Sequence, residues 1–337
     1  MEKIVGFDIG ESSVKLVYFA GADLKKAVTA ELPDNMVSGS GILSMDAMAD
    51  FLRQTAKSNG IPLTHAALVL PSTEVFTREL VMPAMTEQQL LYNLPYEFRD
   101  YLTEEKNKYF FDYSMREVLR DESGQPTEMN LLACATLKST VESYRTMLRR
   151  AGFRLRVLTP SECAYSAVLQ AYYRRTQQEG HDLCVVNLGH SATFLYIYRG
   201  GHFASRREIE VGMSDLEHLV ADQCSVDIHV AHEYVRQNYN HVLESEQARE
   251  LYGRIAVEVV KAVNFFNYNN RERELTQLCL CGGGSAIQPL YDTIADTTGM
   301  TLHTSAELLG QRMSTEEPWM YLRAIGGVDL GIKGGLR

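Results

Sequence analysis

Two short turns of glycine and small residues are the parts of this sequence best suited to chemistry. Residues 5–19 are VGFDIGESSVKLVYF, and residues 185–198 repeat the pattern as VVNLGHSATFLYIY. Gly10 corresponds to Gly189, an offset of 179 residues. Such turns expose successive backbone N–H groups, and an anion can approach them closely because glycine has no Cβ. The pattern predicts two related phosphate-binding hairpins, although glycine hairpins also form for steric reasons alone.

The residues beside the two turns differ in charge. Asp8 precedes the first turn, where a carboxylate can hold Mg²⁺ through water or orient an attacking water. Lys15 follows that turn and can add a positive charge. Asn187 takes the place of Asp8 in the second turn, and a neutral amide cannot act as a base or hold a metal as a carboxylate does. If the turns bind a nucleotide, we therefore expect slow hydrolysis or none.

A third candidate loop, Gly282–Gly284, follows the strand-like segment QLCLC. Consecutive glycines allow the backbone to approach a ligand closely, here a purine and its ribose. Alternatively, they form a tight strand-to-helix turn. Glu258 and Lys261 are three residues apart and share one face of a predicted helix. They can grip ribose hydroxyls or a base edge, or form a solvated surface ion pair.

The strands and helices that must position these loops follow from the hydrophobic pattern. IVGFDIG and SVKLVYF predict a hairpin, and AGADLKKAVTAELP predicts a third strand. MDAMADFLRQTAKSNG predicts a helix with Met45, Met48, Phe51 and Leu52 on its apolar face, and HAALVLP predicts a buried strand. This order is typical of one half of a nucleotide-binding fold.

Residues 72–155 interrupt that order with a strand, a helix, two strands and a helix, which predicts a small inserted α+β module. Its first helix, TEQQLLYNLPYEFRDYL, begins with a capping box from Thr86 to Gln89 and contains Pro95, which should kink it. The helix SECAYSAVLQAYYRR and the polar linker TQQEGHD then lead to the second hairpin.

The second half continues with the strand HFASRREIEVG and a mainly helical stretch. Within that stretch one apolar stripe is predicted at Leu251, Ile255, Val259 and Val263. The strand QLCLC, the glycine loop, the helix AIQPLYDTIADTTG, a helical piece around WMYLRAIGG and a short tail, VDLGIKGGLR, complete the chain.

The three loops, taken together and in this order, resemble those of the actin-like ATPase superfamily. DIGESS resembles its first phosphate loop, NLGHSA its second, CGGGSAIQPL its adenosine loop and SECAYSAVL its connecting helix.

Within the superfamily the sequence is most similar to the type IV pilus assembly protein PilM family. GFDIGESSVKLV, the AGF…ECAYSAVLQA passage, FASRREIEVG, EVVKAVNFF, LCLCGGGSA and YLRAIGG carry that resemblance, which spans nearly the whole chain.

This resemblance implies an α/β, actin-like (ribonuclease H-like) two-lobed fold with an FtsA-type small α+β subdomain inserted in the first lobe. The implied first lobe comprises residues 1–71, 156–182 and 320–337, with residues 72–155 as the insertion. Residues 183–319 form the implied second lobe, including a helical subdomain at about 214–270.

The resemblance also implies ATP and Mg²⁺ as cofactors in a central cleft. Asp8 and Glu162 are the candidate catalytic residues, and Asp8 is the candidate Mg²⁺ ligand, through water. The residues implied to contact phosphate are Gly10, Glu11, Ser12, Ser13 and Lys15 in the first turn, and Gly189, His190, Ser191, Ala192 and Thr193 in the second, with Gly212. Those implied to contact adenosine are Glu258, Lys261, Gly282, Gly283, Gly284 and Ser285. No particular role follows for His190, since Glu11 occupies its place in the first turn.

The implied function is that of a cytoplasmic adaptor in a type IV pilus, secretion or DNA-uptake machine. Such an adaptor binds the N-terminal cytoplasmic tail of a PilN-like membrane protein, connects the platform protein to the motor ATPase, and is able to oligomerise. An FtsA-like filament protein is one alternative, but VDLGIKGGLR is too short and glycine-rich for a membrane-binding helix. An ATP-dependent small-molecule kinase is another, but no passage supplies its Asp base.

The amino-acid composition agrees with a cytoplasmic protein of two domains. The 337 residues are enough for two domains, and 45% hydrophobic with 23% charged residues is ordinary for a soluble protein. The sequence shows no apolar membrane span, and MEKIVGFDIG has no signal-peptide pattern, so we expect a cytoplasmic protein. A net charge of −10 with scattered basic residues disfavours nucleic-acid binding. The six cysteines form no CxxC pair, which predicts reduced thiols.

Overall fold

A computed structural model describes residues 2–39, 41–178, 180–271, 273–312 and 315–333. The chain divides into two compact units. Unit 1 comprises Met1–Ala164 and Gly327–Arg337, and unit 2 comprises Tyr165–Gly326. No helix in the described ranges has both the length and the hydrophobicity that a membrane span requires.

In the described ranges, unit 1 contains a five-stranded sheet, a three-stranded sheet, a two-stranded sheet and three complete helices, and a fourth helix runs from it into unit 2. In chain order its elements are β1 (Lys3–Ile9), β2 (Ser13–Ala20), β3 (Asp23–Glu31), β4 (Val37–Ser38), β5 (Gly41–Ile42), α1 (Met45–Ser58), β6 (His65–Leu70), β7 (Phe76–Pro83), α2 (Glu87–Glu97), a 3₁₀ turn (Lys106–Lys108), β8 (Tyr109–Arg120), β9 (Pro126–Leu137), α3 (Lys138–Ala151), β10 (Arg154–Pro160) and α4 (Ser161–Thr176), which continues into unit 2.

The larger sheet of unit 1 has the strand order β10-β6-β1-β2-β3. The strand β1 pairs antiparallel with β2 and parallel with β6, so the predicted first hairpin lies at the centre of the sheet. Its core includes Phe7, whose ring meets the edge of Phe153 at 4.9 Å between centroids. The central position fixes the end of β1, where the first turn begins.

The helix α1 packs on this sheet because its apolar residues recur at helical spacing. Ser44 caps its N-terminus by accepting a hydrogen bond from the Ala47 N–H at 3.2 Å. Met48 and Leu52 are fully buried as predicted, whereas Met45 and Phe51 are only half-buried. The helix α3 contributes Tyr144, Met147 and Leu148 to the same core.

The smaller sheet has the order β7-β9-β8, with α2 beside it. The predicted capping box is present, since Gln89 N–H bonds to Thr86 Oγ1 and Thr86 N–H bonds to Gln89 Oε1. The helix ends at Glu97, two residues after Pro95, rather than at Leu102 as predicted. Proline lacks the N–H of the helical ladder and clashes with the preceding turn, which favours an early end. The boundaries of an inserted module at 72–155 stay a prediction.

Unit 2 begins within α4 and continues with a second five-stranded sheet. Its further elements are β11 (Asp182–Leu188), β12 (Thr193–Arg199), β13 (His202–Ile209), α5 (Met213–Cys224), α6 (Ile228–Gln237), a 3₁₀ turn (Tyr239–Glu244), α7 (Glu246–Asn269), β14 (Gln277–Cys281), a 3₁₀ turn (Gly283–Ala286), α8 (Gln288–Thr298), β15 (Thr301–His303), α9 (Ser305–Leu309), 3₁₀ turns (Gly310–Arg312 and Pro318–Met320) and α10 (Leu322–Lys333), which returns to unit 1.

The sheet of unit 2 repeats the sheet of unit 1 strand for strand. Its order, β13-β12-β11-β14-β15, matches β3-β2-β1-β6-β10, with antiparallel pairs on one side of the central strand and parallel pairs on the other. The sequence repeat therefore reflects two sheets of the same topology. The predicted stripe at Leu251, Ile255, Val259 and Val263 is buried in the core of this unit.

The last helix differs from its prediction. VDLGIKGGLR was expected to be a tail, but α10 continues through Lys333, and residues 334–337 lie outside the described ranges. Gly327 and Gly331, one turn apart, lie on the sheet of unit 1. A Cβ on Gly331 would come within 2.6 Å of Ile4 Cδ1 and 3.4 Å of Val157 Cγ2. The glycines therefore permit close packing of helix on sheet.

Candidate functional site

The first turn is a tight loop that joins two buried strands. Ile9 pairs with Val14, and the Gly10 N–H donates to Ser13 O at 3.0 Å across the turn. A Cβ on Gly10 would lie 3.1 Å from Ser13 O and 3.3 Å from Lys15 Nζ, so a larger residue would crowd the loop. Glu11 and Ser12 are half-buried at its tip.

Asp8 and Lys15 lie directly opposite each other at the base of this turn. Opposite residues of an antiparallel pair project from the same sheet face, so the two charges share one face of the hairpin. Asp8 is 3% exposed. Lys15 Nζ donates to Ser13 Oγ at 2.8 Å, which holds the ammonium group at the turn. The first hairpin thus combines backbone N–H groups with a positive charge and a buried carboxylate.

The second turn has the same hydrogen bond at the matching place. The Gly189 N–H donates to Ala192 O at 3.1 Å, and a Cβ on Gly189 would lie 2.6 Å from that oxygen. Ser191 is exposed and His190 is half-buried. Thr193 is fully buried, and its hydroxyl donates to Val211 O at 2.9 Å. The Thr193 proton is therefore already used in linking β12 to the segment before α5.

The N-terminus of α5 lies against the second turn. The Met213 N–H donates to Gly189 O at 3.0 Å, and the Ser214 N–H donates to His190 O at 2.8 Å. A Cβ on Gly212 would lie 2.5 Å from Ser191 C and 2.6 Å from Ala192 N. Gly212 is thus required for close contact between the helix start and the turn.

The second hairpin lacks the charges of the first. Asn187 lies opposite Phe194, at the positions that Asp8 and Lys15 hold in unit 1. On its other side Asn187 pairs with Cys281 of β14. Asn187 is buried, so this strand end carries a neutral amide beside apolar neighbours. At these matching positions, the carboxylate and the ammonium group of unit 1 therefore have no counterpart in unit 2.

The glycine loop after β14 packs on the end of β11. Gly282 has a φ of +85°, and a Cβ there would overlap Asn187 Oδ1 and lie 2.6 Å from Leu188 O. A Cβ on Gly284 would lie 2.7 Å from both Leu188 Cβ and Met213 Sδ. Gly283 is exposed, and a Cβ there would meet nothing within 4 Å. The structure thus brings the second turn, Gly212 and the glycine loop together.

Two further residues, Ser285 and Trp319, place polar groups at the glycine loop. Ser285 Oγ is shielded from solvent, and the described part of the chain offers it no hydrogen-bond partner. The Gly282 N–H donates to the Trp319 carbonyl oxygen at 3.1 Å. Trp319 was missed from the sequence, since a backbone acceptor leaves no residue pattern. The carbonyl anchors the loop from a segment distant in the chain.

Glu258 and Lys261 form the ion pair that their spacing predicts. Lys261 Nζ donates to Glu258 Oε1 at 2.7 Å, and the Lys261 side chain is 61% exposed. The hydrogen bond from Lys261 lowers the pKa of Glu258, with a smaller contribution from Arg207. This geometry is that of a solvated surface ion pair, one of the two alternatives for these residues. Contact with adenosine stays a prediction.

Glu162 lies in the first turn of α4 and is 1% exposed. Within the described ranges, no cluster of three or more His, Cys, Asp or Glu side chains is arranged to hold a metal ion. Magnesium in nucleotide sites is commonly held by one or two carboxylates together with substrate phosphates. Asp8, a buried carboxylate at the base of the first glycine turn, fits that mode of binding.

Comparison with known proteins identifies the family. Residues 6–316 match the type IV pilus assembly protein PilM family. The chain belongs to this family. No curated protein matches it. The resemblance noted from the sequence is therefore confirmed over most of the chain.

Solved structures agree on the fold. A PilM–PilN type IV pilus biogenesis complex is similar at a TM-score of 0.81, with 19% identity over 98% of each chain. The ethanolamine utilization protein EutJ from Carboxydothermus hydrogenoformans has a TM-score of 0.62, 12% identity, and coverage of 98% of this chain and 90% of EutJ. The α/β actin-like fold is thus confirmed, and the chain is an actin-like protein of type IV pilus assembly.

A third similar structure was solved with a nucleotide. The activator of the 2-hydroxyisocaproyl-CoA dehydratase from Clostridium difficile, with bound ADPNP, has a TM-score of 0.50 and 9% identity. The match covers 99% of this chain and 96% of the activator. At such identities the likeness concerns the fold alone.

Proposed function

We propose that this protein is an ATP-binding adaptor at the cytoplasmic face of the inner-membrane platform of a type IV pilus or related machine. In this role it binds the N-terminal cytoplasmic tail of a PilN-like membrane protein and is recruited to the membrane by that partner. It connects the platform to the motor ATPase.

Family membership over residues 6–316 is the observation that carries the proposal. It is supported by the similarity, over 98% of each chain, to a PilM solved in complex with PilN. Because the described helices include no membrane span, a membrane-anchored partner is a suitable means of recruitment.

Nucleotide binding is supported by the chemistry of the loops. Both hairpins have the same glycine turn, and Lys15 places an ammonium group at the first. The N-terminus of α5 adds partial positive charge at the second. In this proposal Asp8 holds Mg²⁺ through water, and the ion offsets phosphate charge. The relative solved with ADPNP agrees with a nucleotide ligand.

Slow turnover is part of the proposal because the second hairpin carries Asn187 and Phe194 where the first carries Asp8 and Lys15. An amide cannot take a proton from water at neutral pH or bind a metal as a carboxylate does. In this proposal ATP stabilises a conformation that binds partners, and the function of the protein does not depend on ATP hydrolysis.

Calorimetric titration with ATP and Mg²⁺ tests nucleotide binding. We expect the wild type to bind and Lys15→Met to bind about 10- to 150-fold more weakly, since a hydrogen bond to a charged group contributes about 1.5–3 kcal/mol. Lys25→Met is the matched control, because Lys25 is an exposed partner of Asp23 on β3. Equal affinity of the wild type and Lys15→Met, or no binding by either, contradicts the proposed site. Hydrolysis at about 1 s⁻¹ or faster contradicts the adaptor role.

The partner is tested separately with a synthetic peptide of the N-terminal cytoplasmic tail of PilN from the same organism. We expect saturable binding, measured by fluorescence anisotropy, and none with a scrambled peptide of the same composition. Equal binding of the two peptides excludes specific recognition of this tail, whatever the result with ATP.

A further inference from the structure

One edge of the larger sheet in unit 1 collects the starts of its parallel strands. The register places Ile4, His65 and Arg154 side by side, at the beginnings of β1, β6 and β10. Lys3, the first residue of β1, pairs with Ala20, the last residue of β2. The turn from β2 to β3 therefore lies at the same edge, which is opposite to the edge that carries the first glycine turn.

The helix α1 ends at this edge. The carbonyl oxygen of its C-cap residue, Asn59, accepts a hydrogen bond from Lys26 Nζ of β3. The Gly60 N–H donates to Lys57 O at 3.1 Å, and the Lys57 side chain is exposed in the last turn of the helix. Lys26 and Lys57 are thus both placed beside the C-terminus of α1.

The helix α3 ends there as well. A Cβ on its C-cap residue, Gly152, would lie 2.7 Å from Leu63 Cδ1, and the Arg154 N–H donates to Thr64 O at 3.0 Å. Leu63 is 52% exposed although its side chain is apolar. Arg149, in the last turn of α3, is therefore close in the chain to the Gly152–Leu63 contact.

We call this region the basal edge, and its exposed basic residues are Lys3, Lys25, Lys26, Lys57, Arg149 and Arg154. Two acidic residues lie among them, and both are paired: Asp23 with Lys25 at 3.1 Å, and Glu2 with Arg156. In the described part of the chain, the other five basic residues form no ion pair with a carboxylate. The basal edge is therefore positive, although the whole chain has a net charge of −10.

The nearest acidic residues on α1 do not change this charge balance at Arg149. Asp46 and Asp50 lie in the first half of the helix, and both bind Arg150, at 2.6 and 3.1 Å. Arg149 is left to solvent beside that network. The unpaired charges thus surround the exposed Leu63 at the ends of the two helices.

We propose that the basal edge binds the surface of an anionic phospholipid bilayer, with Leu63 entering the headgroup layer. The edge and an anionic leaflet are complementary in charge, and each Lys or Arg near such a surface strengthens binding about fivefold. An apolar side chain among the charges adds buried area to the electrostatic attraction. The contact orients unit 1 on the membrane, which goes beyond the proposed recruitment by a partner.

The spread of the charges favours a lipid surface over a small anion. The basic residues extend from Arg154 on β10 to Lys25 on β3, across a sheet of five strands. Neighbouring strands are about 4.8 Å apart, so the edge is about 20 Å wide. A small anion contacts one or two of these residues, whereas a plane of headgroups meets all of them at once. Nucleic acid carries the same sign of charge and is therefore the competing ligand in the test.

Cosedimentation of the full-length protein with vesicles tests the proposal. We expect binding to vesicles of phosphatidylglycerol and phosphatidylcholine in equal parts, and none to vesicles of phosphatidylcholine alone. Binding should weaken as the salt concentration rises, because salt screens exposed charges. The double variant Lys57→Gln, Arg154→Gln should bind about 25-fold more weakly, since it removes two unpaired charges. Leu63→Ala should weaken binding by a factor that changes little with salt.

The matched control is the double variant Arg249→Gln, Arg254→Gln. It removes the same total charge from exposed positions of α7 in unit 2 and should bind the anionic vesicles as the wild type does. Circular dichroism verifies that each variant is folded. None of these measurements requires ATP or a partner peptide, so their outcome is separate from that of the proposed function.

Three results would overturn the proposal. The first is that the wild type does not bind the anionic vesicles, or binds the neutral ones equally well. The second is an equal loss of binding in the two double variants, which would mean that total charge matters and the basal edge does not. The third is that a DNA oligonucleotide displaces the vesicles and its own binding is lost in Lys57→Gln, Arg154→Gln, which would assign the edge to nucleic acid.

Discussion

Gly282 lies directly against the side chain of Asn187, so closely that a Cβ on Gly282 would overlap Asn187 Oδ1. The contact joins the loop after β14 to the end of β11, two strands that are parallel neighbours in the sheet of unit 2. It therefore fixes the amide that replaces the carboxylate of the first hairpin. The loop after β14 and the end of β11 are therefore packed together.

Gly282→Ala should destabilise the protein by about 2–4 kcal/mol, because it combines a φ of +85° with overlap on Asn187 and Leu188. Gly283→Ala is the control, since its Cβ would meet nothing within 4 Å, and it should change stability by less than about 1 kcal/mol. Urea denaturation of both variants measures the difference. Equal stability of the two would contradict the packing described for this loop.

The hairpins could be predicted from sequence because their determinants are local. Alternating apolar residues around a Gly-containing turn specify strand, turn and strand within about fifteen residues. The same holds for the Glu258–Lys261 pair, whose helical spacing is visible in the sequence. The actin-like fold then followed from resemblance, since no local pattern encodes strand order.

Other parts of the site depend on contacts between residues distant in the chain. The contact of Gly212 with Ser191 and Ala192, and the hydrogen bond from Gly282 to Trp319, are invisible to patterns of spacing. The strand Thr301–His303 was missed because three residues are too few to show alternation. The glycines of α10 were interpreted as part of a short tail, because the sequence does not show that Gly331 lies against Ile4.

Gly331→Leu should destabilise the protein by at least about 2 kcal/mol. Even a Cβ at this position would come within 2.6 Å of Ile4 Cδ1, and Ile4 is buried in the sheet of unit 1. Gly253→Leu places the same side chain on α7, where a Cβ would meet nothing within 4 Å, and should be neutral or stabilising by up to about 1 kcal/mol. Thermal denaturation of both variants measures the difference. Equal melting temperatures would contradict the packing of α10 on the sheet through Gly331.

Glu74→Gln should stabilise the protein at neutral pH. Burial raises the pKa of Glu74 above its ordinary value near 4.5, and the hydrogen bond from Tyr144 offsets this only in part. A carboxyl group with a raised folded-state pKa binds more protons folded than unfolded, so its ionisation costs stability as the pH rises above about 4.5. Gln stays neutral and still accepts the Tyr144 hydrogen bond.

The measurement for Glu74 is urea denaturation of both proteins from pH 4 to pH 8. The stability advantage of Glu74→Gln should be small at pH 4 and grow toward pH 8. Glu104→Gln is the control, because Glu104 is exposed and paired with Lys108 at the surface. An advantage that is constant with pH would show that ionisation of Glu74 is not its origin.

Asn187→Asp should lower stability by about 1–3 kcal/mol at pH 7, because it buries a carboxylate opposite Phe194, where unit 1 provides Lys15 opposite Asp8. Burial raises the pKa of such a carboxyl group in the folded state, so the loss should shrink as the pH falls from 7 to about 4 and the group is protonated. Asn107→Asp makes the same chemical change at an exposed site and should stay within about 0.5 kcal/mol of the wild type. Urea denaturation at pH 4 and pH 7 compares the two variants. If Asn187→Asp is as stable as the wild type at pH 7, the second strand end tolerates a charge, and its neutrality is not a requirement of the fold.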